Sequence, residues 1–418
     1  MSAAARRRVV VTGMGVLSPL GDSVAELHAA LSAGRSGLGP APELAVDGLE
    51  IGTVGALGPE GPERHLDPSR NLRPLDRPSR LAAAAAGLAL TDAGLEADGE
   101  ERPIGLVLGT MFGSVRTIAE FDRRGLTAGP AYVKPLDFAN SVINAAAGQA
   151  AIWHRLAGLN ATLAGGPTAG LQALIYAADQ VGSGRAEAVL AGGADELCAE
   201  SLVGFVRAGM AAGSNGVPGE RPVPFDAGRN GFAPAEGAAL LLLESAEAAA
   251  ARGAPVLAEV LGTGNGHDPS RGHDPRRTGA ALAGAVRRAL REAGVAPGEV
   301  VAVSTSASGS LMVDRAEAFG LAEALAGGGP VEVPVTAVKG ALGEGLGASA
   351  ALQTAVLIRA LATCELPGVH GFERLEEGLP LAAVGAAPRA IGRGPGLVTS
   401  VGLDGNVVAL VVAADGAA

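Results

Sequence analysis

Residues 164–184 read AGGPTAGLQALIYAADQVGSG, and residues 338–361 read VKGALGEGLGASAALQTAVLIRAL. Each stretch turns through glycines and then continues into a long helical run rich in Ala and Leu. One lies in each half of the chain, so the sequence reads as a duplication. Working outward, apolar runs of strand length occur at 8–12, 104–109, 187–191, 256–262, 300–305, 396–401 and 406–413. Helical stretches lie between them at 79–93, 170–181, 278–293, 315–325 and 347–363. Short buried strands alternating with helices point to α/β architecture. Segments 34–71 and 213–231 are rich in Gly and Pro and read as loops, but neither divides the chain cleanly. The expectation is two similar halves, 1–253 and 254–418, packed into one body.

Composition narrows the possibilities. Hydrophobic residues make up 48% of the 418 positions but aromatics only 3%, and the mean hydropathy is +0.30. A large core therefore has to be built from Ala, Val, Leu and Gly, which suit close helix–strand approach. The length fits two fused halves of ordinary size. A net charge of -11 and a pI near 5.1 argue against a nucleic-acid surface, which needs concentrated positive charge. Cys198 and Cys364 are too few for a disulfide framework and sit in no metal-ligand spacing. The apolar run after Arg6, Arg7 and Arg8 ends at Gly13, unlike a signal peptide. No uninterrupted apolar run approaches the roughly 18–20 residues of a membrane helix. The expectation is a soluble, cytoplasmic protein with no membrane segment. The three arginines read as a solvated terminus able to touch an acidic partner. His267 and His273 lie six apart in HDPSRGHDP. That spacing, in a Gly- and Pro-rich loop without Cys, fits zinc ligation poorly, and no metal is expected.

Four segments, in order, resemble the β-ketoacyl-acyl-carrier-protein synthase family. Residues 9–37, VVVTGMGVLSPLGDSVAELHAALSAGRSG, look like that family's first strand, loop and helix, and residues 76–95, DRPSRLAAAAAGLALTDAGL, like its next helix. Residues 222–244, PVPFDAGRNGFAPAEGAALLLLE, are close to its PFD-x-x-R-x-GF strand and loop, and GALGEGLGASA follows Lys339 as its Lys-led glycine motif does. GMGVLSPLG fails as a dinucleotide fingerprint, because the third Gly and the downstream acidic residue are missing. The resemblance runs from about Arg6 to Val412. It implies a thiolase-like fold of duplicated βαβαβ halves in an α-β-α-β-α body, and no cofactor.

The family's chemistry needs a Cys nucleophile at a helix N-terminus and two His residues for decarboxylation and enolate stabilisation. Where the family has Cys-x-x-Gly-Leu, this chain has Pro167-Thr168-Ala169-Gly170-Leu171. Proline suits a first helical position but cannot attack a thioester. The first His position is Ser306, ahead of Asp314, and the second is Glu344, five residues after Lys339. Lys339 persists although it is one of only two lysines among 32 basic residues. Asp314 and Glu317 keep the family's D-x-x-E-A arrangement, from which a buried ion pair with Lys339 is expected. Losing both acid–base helpers, each worth roughly 10²–10⁴-fold, together with the nucleophile leaves neither half-reaction.

Vacated ketosynthase folds of this kind resemble the chain-length factors of bacterial type II polyketide assembly. The resemblance implies a heterodimer with a catalytic ketosynthase subunit, a shared tunnel for the polyketide acyl chain, and service by an acyl carrier protein. Residues 160–165, NATLAG, would pair across the two-fold axis. Ser114, Thr117, Ile118 and Phe121, spaced i, i+3, i+4 and i+7 on one helix face, are the expected tunnel residues. Aromatic-polyketide chain-length factors usually carry Gln at the nucleophile position. Pro167 departs from that, so a reduced or polyene product is at least as compatible. Gly402-Leu403-Asp404-Gly405-Asn406 replaces the family's Gly-Phe-Gly-Gly-Thr-Asn, so an opening gate is not expected. Two rival readings remain: a diverged condensing enzyme or hydrolase using Ser306 or Thr168, and a homodimeric acyl-carrier or acyl-thioester binder.

Overall fold

Val9, Val10 and Val11 are almost fully buried, and the strand they begin is apolar on both faces, as a strand inside a layered body must be. A computed structural model describes residues 6–40, 44, 52–58, 60–95, 100–217, 219–270 and 273–414. Of the loop expected over 34–71, residues 41–43, 45–51 and 59 lie outside the described residues. Ten strands form one sheet: β1 (Val9–Leu17), β2 (Ile104–Thr110), β3 (Asn160–Ala164), β4 (Ala188–Asp195), β5 (Gly237–Ser245), β6 (Ala258–His267), β7 (Ala302–Ser304), β8 (Val335–Thr336), β9 (Gly396–Val401) and β10 (Asn406–Ala414). Their order is β8-β7-β9-β10-β6-β1-β5-β4-β2-β3.

That order is the duplication. The first five strands run 3-2-4-5-1 inward from their edge, and the second five repeat this with five added to each number. In each half the edge pairs are parallel and the inner ones antiparallel. The halves join through a short antiparallel pairing of Val9–Val11 with Ala258–Val260. Helices Arg77–Asp92 and Ala145–His154 cover the outer face of the first half, and Pro275–Ala293 and Leu311–Leu325 that of the second. Helices Ala169–Gly182 and Ser349–Thr363 pack against strands of both halves and form the middle layer. Within Ser349–Thr363 only Arg359, Ala362 and Thr363 escape burial. The stretch Leu346–Thr363 is long and apolar enough on average to cross a bilayer, although Gln353 and Arg359 interrupt it. With 83% of it buried inside the protein, it is a core helix.

The glycine and alanine bias has a packing reason. The first strand extends past the expected 8–12 through Gly13 and Gly15, with a bulge between Val11 and Gly13. A Cβ on either glycine would collide with the backbone of Ala89 or Ala85 in the overlying helix. Gly262 and Gly264 on β6 meet Ala289 and Ala285 in the same way. The G-x-G that imitates a nucleotide loop is thus a seat for a close-packed helix, used once per half.

Candidate functional site

The turns ahead of the middle helices bring Pro167 and Glu344, two of the three positions expected to be vacated, to one cavity. Strand β3 leads into the turn Gly166–Thr168 and then helix Ala169–Gly182. This turn touches the turn Leu346–Ala348, because Gly170, Gly193 and Gly347 have no side chains: a Cβ on Gly170 or Gly193 would overlap the Gly347 carbonyl. Asp195 fixes the junction, accepting from Thr110 Oγ1 at 2.6 Å and from the N–H groups of Met111 and Gly347, both at 2.7 Å. Its complete burial pushes its carboxyl up to about 6 against those hydrogen bonds. The motif reading passed over Asp195, although it directly precedes the buried Glu196.

Around this junction lies a cavity of about 260 Å3 bordered by Pro167, Ser308, Ser310, Glu344, Leu403 and Asp404, with Met111, Phe112, Phe205 and Phe232 among its walls. Pro167 offers no thiol and, lacking an N–H, no donor to an oxyanion. Ser306 is fully buried and does not line the cavity. Its N–H and hydroxyl both donate to Glu317 Oε1, at 2.9 and 3.1 Å, and its Oγ accepts from Val401 N at 2.9 Å. Thr168 is equally buried and closes on the Gly165 carbonyl at 2.7 Å. Neither hydroxyl has an adjacent imidazole to activate it.

The expected ion pairs are rearranged. Lys339 pairs with Glu344 Oε2 at 2.6 Å, both side chains buried, and not with Asp314 or Glu317. Glu344 Oε1 also accepts from Ser349 Oγ at 2.8 Å and Leu346 N at 3.1 Å. Leu346 sits in the left-handed region at φ 54, a strained conformation held by these contacts. Asp314 instead faces Arg229 at 3.0 Å, both side chains fully buried, and accepts from Phe225 N, Ser308 N and Gly309 N. Arg229 also pairs with Glu376. Glu317 takes Ser306 and Thr399 on Oε1, while its buried Oε2 has no hydrogen-bond partner. Burial pushes its carboxyl up to about 7, with Lys339 and the hydrogen bonds opposing. The correction has a simple cause: an acid at 344 lies five residues from Lys339 across one tight turn and captures the ammonium first. Arg229, within the PFD-x-x-R segment, was the legible signal for the partner of Asp314.

The remaining predicted residues lie elsewhere. Ser114 is buried just ahead of helix Val115–Thr127, at its N-cap position, Thr117 Oγ1 donates to Asp76 at 3.3 Å, Ile118 is half-buried, and Phe121 packs on Phe138 with ring centroids 5.9 Å apart. None of the four borders the cavity. The Gly402–Asn406 turn is tied by Asp404, which accepts from Asn406 N at 3.1 Å and Nδ2 at 2.6 Å. His267 stands 3.3 Å from Asn406. Arg6, Arg7 and Arg8 are exposed, as expected of a solvated terminus, and pair with Glu292, Glu187 and Glu259 of their own chain. Cys198 is buried, which pushes its thiol up to about 11 and leaves it unreactive at neutral pH.

Residues 6–249 match the family model described as the beta-ketoacyl synthase N-terminal domain, and residues 257–373 that of the C-terminal domain. The chain is 33% identical to the tetracenomycin polyketide synthase ketoacyl synthase beta subunit of Streptomyces glaucescens, over 97% of this chain and 98% of that one. It is 31% identical to 3-oxoacyl-[acyl-carrier-protein] synthase 2 of Vibrio cholerae, over 90% and 91%. Among solved structures, the ishigamide ketosynthase/chain length factor superposes with a TM-score of 0.89 at 31% identity, covering 99% of this chain and 100% of that one. The AntDE:AntF complex, a type II PKS acyl-carrier protein with its ketosynthase bound to the hexaketide, gives 0.87 at 26%, covering 98% and 100%. With both halves matched and relatives of 31% and 33% identity aligned over 90% and 97% of it, the chain belongs to the β-ketoacyl synthase family.

Proposed function

We propose that this chain is the non-catalytic, chain-length-determining subunit of a type II polyketide ketosynthase heterodimer. The observation that carries this reading is the state of the vacated site. Pro167 has nothing to donate, the Ser306 hydroxyl is fully engaged, and the Glu344 carboxylate is bound by Lys339, Ser349 and Leu346. Among the described residues, no nucleophile with a free base beside it borders the cavity. The hydrolase reading loses ground for the same reason, since Ser306 and Thr168 are both buried and bonded.

Two surface features support a partner. Strand β3 is the last strand of the sheet, and an edge strand with small neutral residues invites pairing. In the segment that precedes it along the chain, Tyr132, Leu136, Phe138, Val142, Ile143 and Ile152 are exposed, and exposed apolar side chains in such number mark an interaction surface. In this reading the catalytic ketosynthase covers that surface and supplies Cys and both His. Helix Val115–Thr127 then shapes the shared acyl tunnel through Ser114, Thr117, Ile118 and Phe121, and an acyl carrier protein delivers the chain in the cytoplasm. The test is co-expression with a ketosynthase. The pair co-purifies and makes products that shorten with Ser114→Trp or Thr117→Trp, while this chain by itself elongates nothing. Elongation by the isolated chain overturns the reading.

A further inference from the structure

None of the 13 residues of helix Val115–Thr127 is buried, so core packing does not hold this helix in place. The first N–H groups of any helix have no partner within it, and here the Ser114 side chain makes no capping hydrogen bond. The N–H of Arg116 donates instead to Glu196 Oε1 at 3.2 Å. Glu196 is buried and lies one residue past strand β4. Its neighbour Asp195 is locked between the turns at the junction, so Glu196 grips the helix from a rigid point. Thr117 adds its bond to Asp76, which is itself the cap of helix Arg77–Asp92. Further along, the helix has the ring contact of Phe121 and two long surface pairs, Arg123 with Glu200 at 3.6 Å and Arg124 with Asp137 at 3.4 Å, which hold weakly.

Charges converge on the Glu196 carboxyl. Asp76 and Arg77 act on it from the start of helix Arg77–Asp92, Glu236 from just ahead of strand β5, and Arg116 from the helix it caps. Cys198 and Glu200 follow it along the chain. Arg77 is already bound at two points by Glu236, so its charge is matched elsewhere. Burial pushes the Glu196 carboxyl up to about 8; Asp76 and Glu236 push the same way, while the Arg116 N–H and guanidinium oppose. At neutral pH the cap is therefore a protonated carboxyl whose carbonyl oxygen accepts from Arg116. At higher pH it becomes a third negative charge beside Asp76 and Glu236. A carboxyl that keeps its proton in place and releases it when freed loses hold as pH rises from 4.5 to about 8, and no further above that.

We propose that Glu196 is a positioning residue: its buried carboxyl caps helix Val115–Thr127 from outside and fixes where that helix starts, and the helix start loosens when this carboxyl ionises. The consequence for product length rests on the reading of this helix as a wall of the acyl tunnel. The capping itself does not.

Hydrogen exchange of the full chain, read as protection of the amides of residues 115–121 at pH 7 and at pH 9, tests the capping. Glu196→Ala lowers protection there about fivefold at pH 7, as loss of a helix cap does, and leaves helix Pro275–Ala293 unchanged. Glu196→Gln presents the same carbonyl oxygen without a titrating group, so it matches the parent at pH 7. It also keeps that protection at pH 9, where the parent loses up to about tenfold. If Glu196→Ala does not fold, the comparison of the parent with Glu196→Gln across pH still decides. Protection in Glu196→Ala within about twofold of the parent, or a parent as insensitive to pH as Glu196→Gln, overturns the proposal. In a complex with a catalytic ketosynthase, Glu196→Ala broadens the spread of product lengths and Glu196→Gln does not. Loss of protection without any broadening upholds the capping and counts against the tunnel reading.

Discussion

The Lys339–Glu344 pair is the sharpest handle on how this site was rebuilt. Lys339→Met removes the ammonium 2.6 Å from Glu344. The carboxylate then keeps only Ser349 Oγ and Leu346 N. Breaking a buried pair from one side costs about 3–5 kcal/mol, because a desolvated charge is left behind. Glu344→Leu should cost less, about 3 kcal/mol at most, since Lys339 still acts on Glu317, whose Oε2 is bare. In the double variant Lys339→Met/Glu344→Leu no charge is stranded. Only the Leu346 N–H and the Ser349 hydroxyl lose a partner, at about 1–2 kcal/mol in all. With single costs of about 4 and at most about 3 kcal/mol against about 1.5 kcal/mol for the double, the cycle predicts a coupling of about 2.5 to 5.5 kcal/mol between the two sites. Urea unfolding followed by Trp153 fluorescence and by circular dichroism measures all four proteins. Additive costs, or a Lys339→Met variant within about 1 kcal/mol of the parent, would refute the claim that Glu344 has captured the lysine.

Other outcomes follow from the same structure. Glu317, raised from 4.5 to about 7, retains a proton in the fold that the unfolded chain releases, so stability falls as pH rises from about 4.5 to about 7 and is flat above. Glu317→Gln should flatten that part of the profile, by up to about 1.4 kcal/mol per pH unit, and be neutral or stabilising at pH 8. A loss of stability at pH 8 would mean that the carboxylate is charged and needed. Pro167→Cys should leave elongation by the isolated chain at background, because neither Ser306 nor Glu344 supplies an imidazole; radiolabelled malonyl incorporation reads this out. Phe138→Asp should abolish co-purification with a ketosynthase while leaving the melting temperature within a few degrees, because Phe138 is largely exposed.

Much of the fold is legible along the chain because its causes are local. Strand-length apolar runs, helical Ala-rich stretches and two glycine-led turns are one-dimensional patterns, and they repeat in the strand order of both halves. The edge position of β3 is less visible, since NATLAG carries no sign of which neighbours it lacks. The G-x-G of the first strand was legible as glycine but not as a helix seat, because its reason lies in the backbone of Ala85 and Ala89, some seventy residues away.

For the site, sequence alone determined which chemistry is absent: a proline cannot be a thiolate, nor can Ser306 or Glu344 act as an imidazole, wherever the chain places them. The tertiary structure decided which charges meet. Lys339 could have gone to Asp314 or Glu317 by motif, yet it pairs with Glu344, while Asp314 takes Arg229 from the other half of the chain. Lys339 reaches Glu344 across one tight turn, but nothing in the spacing along the chain brings Arg229 to Asp314, because that meeting depends on distance and desolvation in three dimensions.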